Sequence, residues 1–257
     1  MRFSVLGSGS KGNCTLVEAG STRLLIDNGF SGKELVSRLQ GLGIAPDSLT
    51  AIIVTHEHDD HVKGVGVLAR RLGLPVYANE ATHRAAAARM GKLPHSQEFG
   101  VGESFVVEGV RIHPFAVSHD AVDPVGFVVS DDEQSLGYCT DTGTITRLIR
   151  HHLRHCQALV LEANHDVRML KEGPYPLPLQ QRVLSSRGHL ANPDSLSLAA
   201  ELAEERLRLL VLAHLSEINN HPDLVLREAR QRLPGGETLR LLLAGQGQAG
   251  PLLEIMP

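Results

Sequence analysis

The chain has 257 residues, 42% of them hydrophobic and 21% charged, a balance that excludes a disordered or fibrous protein. With 25 Lys+Arg against 29 Asp+Glu the formal net charge is -4, which excludes a globally basic nucleic-acid coat and leaves a local basic groove open. No run approaches the roughly twenty apolar residues of a membrane span, and MRFSVLGSGS lacks a charged segment followed by a long apolar core. The expectation is a cytoplasmic protein without a membrane segment.

In chain order, Arg2 to Leu6, Thr15 to Glu18 and Arg23 to Asp27 read as short strands separated by GSGSKGN and AGS turns. Ser31 to Leu42 sets Leu35, Val36 and Leu39 at helical spacing, closed by Gly41 and Gly43 with Pro46 beyond. Ala51 to Thr55 is an apolar strand that runs into a His/Asp turn, and Val65 to Leu72 resumes a helical pattern. After Pro75 come a strand (VYA), a helix over about Glu80 to Met90, and strands near Glu103 to Val107, Val110 to Ala116, Gly126 to Ser130 and Ser135 to Thr140. A helix over Thr144 to His155 follows.

Ala158 to Ala163 and Leu209 to Ala213 are apolar strands, with a helix between them (Pro193 to Glu205), another after (Pro222 to Arg232), and Leu239 to Leu243 as closing strand. Arg168 to Asn192, which holds Pro174, Pro176 and Pro178, reads as a long loop or helical excursion, and such segments often carry function. A strand-rich first half, helices between the later strands and no linker or repeat predict one α/β domain over 1–257, a four-layer αββα sandwich.

Gly7, Gly9 and Gly12 match GxGxxG after a strand, with Asp27 about where a dinucleotide fold sets its ribose carboxylate. That fingerprint needs a helix to start at the third glycine, whereas Asn13 to Asp27 alternates like a hairpin, so a tight β-turn is the reading adopted. Cys14, Cys139 and Cys156 are odd in number, far apart and without CxxC, which fits buried thiols in a reducing compartment. The 14 histidines are the excess that needs a reason, because neutral imidazole is the commonest metal ligand.

The turn after AIIVT is Thr55-His56-Glu57-His58-Asp59-Asp60-His61, an HxHxDH arrangement with four donors within six residues. His56 and His58 are two apart, so in extended backbone they project to one side and can grip one ion together. Asp60 and His61 lie where the chain turns into a helix and can face a neighbouring ion, Asp59 being read as the helix cap. Ions about 4 Å apart would make a two-metal hydrolytic centre. His119, Asp141 and His214 each follow a predicted strand, where side chains converge on one rim of a sandwich.

This ordered pattern resembles the metallo-β-lactamase superfamily, whose signature is HxHxDH, then a lone His, an Asp and a late His. By that resemblance His56, His58 and His119 hold a first metal, Asp60, His61 and His214 a second, and Asp141 bridges both. A carboxylate bridge with several imidazoles and no cysteine suits two divalent ions, Mn²⁺ or Zn²⁺, rather than Ca²⁺.

The opening LGSGSKGNC, then Glu162-Ala163-Asn164-His165-Asp166, Gly188-His189-Leu190-Ala191-Asn192 and Ala213-His214-Leu215-Ser216-Glu217-Ile218-Asn219-Asn220, resemble the YycJ/WalJ (VicX-like) bacterial branch. That likeness implies a 5′-to-3′ DNA exonuclease with single-strand endonuclease activity and a role in DNA repair. Its substrate would be DNA, single-stranded or with free 5′ ends. An RNA-processing nuclease or a thioester or lactone hydrolase of the same fold are the alternatives. It also implies that Asp60 steers a water proton and His189 protonates the leaving group. Asn164 and His165, at the same rim, are candidates to bind phosphate or support the ligands.

His151, His152 and His155 are read as a solvated helix face. Lys63, Arg70, Arg71, Arg84, Arg89 and Lys92, together with Arg147, Arg150, Arg154, Arg168, Lys171, Arg182 and Arg187, flank the expected metal rim and form a candidate basic track. With no Trp and 4% aromatic residues, base stacking should be modest and sequence preference weak. The interval from Asp141 to His214 leaves no room for an inserted cap domain, so an open site is expected.

Overall fold

The computed structural model describes residues 1–233 and 238–256. The first half supplies β1 (Arg2–Gly7), β2 (Cys14–Ala19), β3 (Thr22–Ile26), β4 (Ala51–Ile53), β5 (Pro75–Ala78) and β6 (His95–Glu98). Between them lie α1 (Gly32–Gly41), α2 (Asp59–Val62), α3 (Val65–Leu72) and α4 (Glu80–Met90). The second half supplies β7 (Phe105–Val107), β8 (Val110–Ala116), β9 (Val125–Ser130), β10 (Ser135–Cys139), β11 (Ala158–Glu162), β12 (Leu209–Ala213) and β13 (Arg240–Leu243). Its helices are α5 (Arg147–Leu153), α6 (Val167–Glu172), α7 (Leu177–Leu184), α8 (Asn192–Ala203) and α9 (Pro222–Arg232).

A last strand, β14 (Leu253–Glu254), returns to pair with β1, so the chain closes on the first sheet and Leu239–Leu243 is not its final strand. The two sheets run β14-β1-β2-β3-β4-β5-β6 and β13-β12-β11-β10-β9-β8-β7. Their inner faces meet through Phe3, Val5, Leu24 and Ile26 from one side and Val129, Tyr138, Val160 and Val211 from the other. The alternate residues face outward under helices: Leu6, Leu16 and Leu25 beneath α1 and α3, and Leu159, Leu161, Leu210 and Leu212 beneath α5, α8 and α9. Strands apolar on both faces therefore read as unbroken hydrophobic runs, and the result is the expected four-layer αββα sandwich.

Parallel pairing places the site. The strands β3, β4, β5 and β6 are parallel in one sheet, and β10, β11, β12 and β13 in the other. Two antiparallel steps carry β10 to β8, which therefore runs the same way. The loops after β3, β4, β8, β10, β11 and β12 consequently open on a single rim, the usual ligand edge of parallel strands. Asp27, Asp141 and His214, each at such a strand end, take positive φ values of 60°, 56° and 55°. Backbone strain of this kind persists where the surroundings over-determine it and clusters at functional sites.

One element was not read from the pattern, and one open alternative is decided. The strand β6 is His-Ser-Gln-Glu, exposed at all four positions, so no apolar alternation announces it; parallel pairing to β5 at the sheet edge forms it. Arg168 to Asn192 is largely helical, with α7 starting at a Leu-Pro step that suits a helix N-terminus. Among the described residues, no helix is long and apolar enough to cross a membrane.

Candidate metal centre

The loop from Thr55 to His61 is pinned from beneath by Asp27. Its Oδ1 accepts the Thr55 N–H and its Oδ2 the Thr55 hydroxyl, both at 2.8 Å, and Oδ2 also lies 2.8 Å from His61 Nδ1. His56 Nδ1 lies 2.9 Å from Thr55 Oγ1. These contacts put the ring protons of His56 and His61 on Nδ1 and turn Nε2 of each toward the rim.

All seven donors read from the sequence come together. Donor atoms of His56, His58 and His119 lie within 4.8 Å of one another, and so do those of Asp60, His61 and His214. Asp141 stands between the groups: Oδ2 is 3.3 Å from His61 Nε2, and Oδ1 is 3.4 Å from His214 Nδ1 and 4.0 Å from His119 Nε2. His119 is oriented by its Nδ1, 3.0 Å from the Gly188 carbonyl.

Two further residues hold this arrangement and were not assigned roles from the sequence. Glu162, fully buried at the end of β11, accepts His189 Nδ1 at 2.7 Å and His214 Nδ1 at 2.9 Å on Oε1, and the N–H groups of Thr142 and Leu190 at 3.0 Å on Oε2. A carboxylate ending the apolar run ALVLE was its signal, because Glu is almost never fully buried unless partnered. Asn13 donates through Nδ2 to Asp60 Oδ2 at 3.0 Å, with His61 Nε2 also at 3.0 Å, and its Oδ1 accepts the Gly9 N–H and the Ser8 hydroxyl. The GxGxxG segment is thus a β-turn that delivers a carboxamide to the site.

The electrostatics follow from crowding donors out of water. Burial, aided by the His61 charge, pulls the His56 imidazole well below its usual range, and burial lowers His119 too. Burial acts the same way on His61 and His214, but carboxylates prevail: Asp141, Asp60 and Asp27 hold His61 well above its usual range, and Asp141, Asp60 and Glu162 do so for His214. Burial would raise Asp141, yet His214 and His61 keep it well below the carboxylate range. Against burial in the same way, His189 and His214 hold Glu162 at about 2.

The donor set passes the test for divalent cations. His56 Nε2, His214 Nε2 and Asp141 Oδ2 are buried and make no hydrogen bond. Orphaned polar atoms of this kind cost about 1–3 kcal/mol each in a dry protein, and a cation at the two triads would satisfy them while replacing imidazole protons.

A profile described as the Beta-lactamase superfamily domain matches residues 22–214. The exodeoxyribonuclease YycJ of Bacillus anthracis is 38% identical over 235 residues, 91% of this chain and 89% of the relative. The exodeoxyribonuclease WalJ of Streptococcus pneumoniae is 37% identical over 263 residues, 99% and 98% of the two chains. The chain belongs to the YycJ/WalJ branch of the metallo-β-lactamase superfamily. The metallo-β-lactamase fold protein YhfI of Bacillus subtilis superposes with a TM-score of 0.74 at 20% identity, covering 97% of this chain and 98% of its own, a likeness of fold.

Against this metallo-β-lactamase frame one sequence-based reading changes, and for His165 and Asn164 the contacts favour the supporting alternative over phosphate binding. His58, not Asp59, is the N-cap of α2; Asp59 is its first residue, and its carboxylate takes Arg89 Nη2 at 2.7 Å instead of capping. His165 is 1% exposed with neither ring nitrogen hydrogen-bonded, so it is shut off from a phosphate in the cleft. Its main chain instead bridges Ala191 and accepts the Asn192 N–H, steadying the loop that carries His189. Asn164 Nδ2 donates to the His214 carbonyl at 2.9 Å and so supports a donor.

The basic track is largely spoken for. Arg84 pairs with Glu80, Arg150 with Glu201, Arg154 with Glu205, Arg168 with Glu172 and Arg182 with Asp120. Arg70 donates to the carbonyls of Met90 and Lys92, and Arg187 to those of His119 and Ala121. The two segments therefore do not form a continuous stripe of unpaired cations. His151 and His155 are exposed on and just beyond α5, while His152 is half-buried, stacked on Phe115 and tilted against His113.

Proposed function

We propose that the chain is a metal-dependent phosphodiesterase that hydrolyses DNA, an exonuclease entering at free 5′ ends with endonuclease activity on single strands, acting in DNA repair. The observation that carries this reading is the convergence of two donor triads on Asp141, with His189 held beside them by Glu162. Two curated relatives that align over nine-tenths or more of the chain bear the name exodeoxyribonuclease, which supports DNA as substrate. Three free, buried thiols support a reducing compartment such as the cytoplasm.

His56, His58 and His119 would hold one ion and Asp60, His61 and His214 the other, with Asp141 shared; Mn²⁺ and Zn²⁺ both accept this mix of imidazole and carboxylate. Two such ions supply Lewis acidity, acidifying water and offsetting the charge that builds on the phosphate oxygens. The chain's own residues handle protons and position. Asp60, with Oδ2 steadied by Asn13, is the base that takes the proton of the attacking water. His189, pinned through Nδ1 on Glu162, gives the proton that the departing sugar oxygen needs as the P–O bond breaks.

The test is incubation of the purified chain with 5′- and 3′-labelled single- and double-stranded DNA, RNA and a generic thioester, each with Mn²⁺, Zn²⁺ or a chelator. Mononucleotides released from 5′ ends of DNA, and none in chelator, are expected. RNA degraded with DNA spared, or turnover of the thioester alone, would make the DNA reading wrong.

A further inference from the structure

A cavity of about 160 Å³ opens directly beside the centre, with His189 and His214 in its wall. Its wall combines the apolar Tyr175, Leu179 and Leu215 with the hydroxyls of Ser10 and Ser216, the Asn164 carboxamide and the Asp120–Arg182 ion pair. It is well below the roughly 300–1,000 Å³ of drug-sized sites, so it takes one planar ring system and excludes a double helix. A wall that mixes apolar side chains with hydrogen-bonding groups suits a nucleobase, a π-surface with hydrogen-bonding groups on its rim.

Tyr175 is singled out by its surroundings. Tyr138 is buried in the core and Tyr77 stacks on Phe105, so Tyr175 is the tyrosine that reaches the cleft. It stands between Pro174 and Pro176, whose rings restrict the backbone on both sides, and its carbonyl accepts Gln180 Nε2 at 2.8 Å. A pre-set aromatic ring loses little entropy on stacking. Leu179, in the first turn of α7, adds a further apolar group to the wall.

Resting on the phosphodiesterase reading above, we propose that this cavity is the subsite for the base of the departing nucleotide, with the Tyr175 ring as its stacking platform. Water adds to phosphorus, the P–O bond to the departing sugar breaks, and that oxygen takes its proton from His189. The group leaving next to His189 therefore carries its base into the cavity that His189 lines. In an exonuclease working from 5′ ends this is the 5′-terminal nucleotide. One ring on one base gives weak base preference and requires the terminal nucleotide to be unpaired.

The experiment measures steady-state cleavage of a single-stranded oligonucleotide by the full chain in Mn²⁺, with the 5′-terminal nucleotide either intact or abasic. Tyr175→Ala should raise KM on the intact strand by about fivefold or more, the size of a lost aromatic–base stack. Tyr175→Phe should restore the wild-type KM, and on the abasic strand wild type and Tyr175→Ala should coincide. An unchanged KM on the intact strand, or a Tyr175→Ala defect that persists on the abasic strand, overturns the subsite while leaving the nuclease reading in place. Failure of the wild type to cleave either strand overturns that reading and the subsite with it.

Discussion

Asn13 Nδ2 donates to Asp60 Oδ2 at 3.0 Å, and through this one carboxamide the first turn of the chain reaches its candidate metal centre. Asn13 Oδ1 accepts the Ser8 hydroxyl, and Ser8 Oγ in turn accepts the His214 N–H at 3.0 Å. Two donors of one triad, Asp60 and His214, thus hang from a single β-turn although 154 positions separate them in sequence. The main chain repeats the tie, since Asn13 N–H donates to the Asp60 carbonyl at 2.7 Å.

Replacing Asn13 by Ala removes the carboxamide and leaves Asp60 free to turn. Partners behind a ligand typically contribute about 10–100-fold in metal affinity or activity, and a loss of that order is expected here with the fold retained. Calorimetric titration of Mn²⁺ or Zn²⁺ into the apo variant, alongside its circular dichroism, reads both. Wild-type affinity together with wild-type turnover would mean that Asn13 only shapes the turn.

Glu162→Gln probes the carboxylate that orients His189 and His214. Four donors converge on its two oxygens, so a carboxamide must present its own N–H₂ to two of them. Leaving buried donors unpaired costs about 1–3 kcal/mol, seen as a lower urea midpoint, and turnover should drop by roughly 10–100-fold. A variant as stable and active as wild type would show that the histidines are oriented by something else.

The thiols give a pH test remote from the chemistry. Cys14, Cys139 and Cys156 are buried, and burial raises all three, Cys156 to about 12. The thiolate is the reactive form, so at pH 8 to 9 none should react with iodoacetamide in the native protein. Three alkyl groups should appear once the chain is denatured, as counted by mass spectrometry. Labelling of native Cys156 at pH 8 would contradict its closed surroundings.

The convergence of the seven candidate donors was legible because the sequence concentrates them: four fall in one turn, and His119, Asp141 and His214 each follow an apolar strand whose end is easily seen. The sandwich was legible for the same reason, since β12 is apolar at every position and β11 at every position but its last, Glu162. What stayed hidden depends on contacts between distant segments. Asp27 reads as a strand end until His61 and Thr55 are found on its oxygens. Asn13 reads as a turn residue until Asp60 arrives beside it. The basic residues read as a track because, apart from the same-helix partners Glu80 and Glu172, the acids that pair with Arg89, Arg150, Arg154 and Arg182 are distant in sequence.

Gly29 tests how tightly the loops are packed. A Cβ there would lie 1.8 Å from the Asp60 carbonyl oxygen, a backbone atom that cannot swing aside as a side chain would. Gly29→Ala must therefore push the loop bearing Asp60 and His61 outward, at an overpacking cost of about 1–3 kcal/mol. In a chain of this size each kcal/mol lowers Tm by roughly 2–4 °C, and metal affinity should fall with it. An unchanged Tm and unchanged metal titration would show that the loop yields freely.

Asp141 separates holding metal from holding the fold. It is fully buried among imidazoles, and its Oδ2 lies 3.3 Å from His61 Nε2 while Oδ1 lies 3.4 Å from His214 Nδ1. In wild type, a metal at a hundred times its dissociation constant stabilises the native state by about 2.7 kcal/mol per site, so a chelator should lower Tm and Mn²⁺ or Zn²⁺ should restore it. Asp141→Ala should fold, because the sandwich core between the sheets does not include this side chain. It should also lose strand cleavage and most of the metal-dependent gain in Tm, because the shared carboxylate that joins the triads is gone. A full metal-dependent Tm gain in Asp141→Ala, with cleavage intact, would mean that the triads work independently and that the carboxylate between them joins neither.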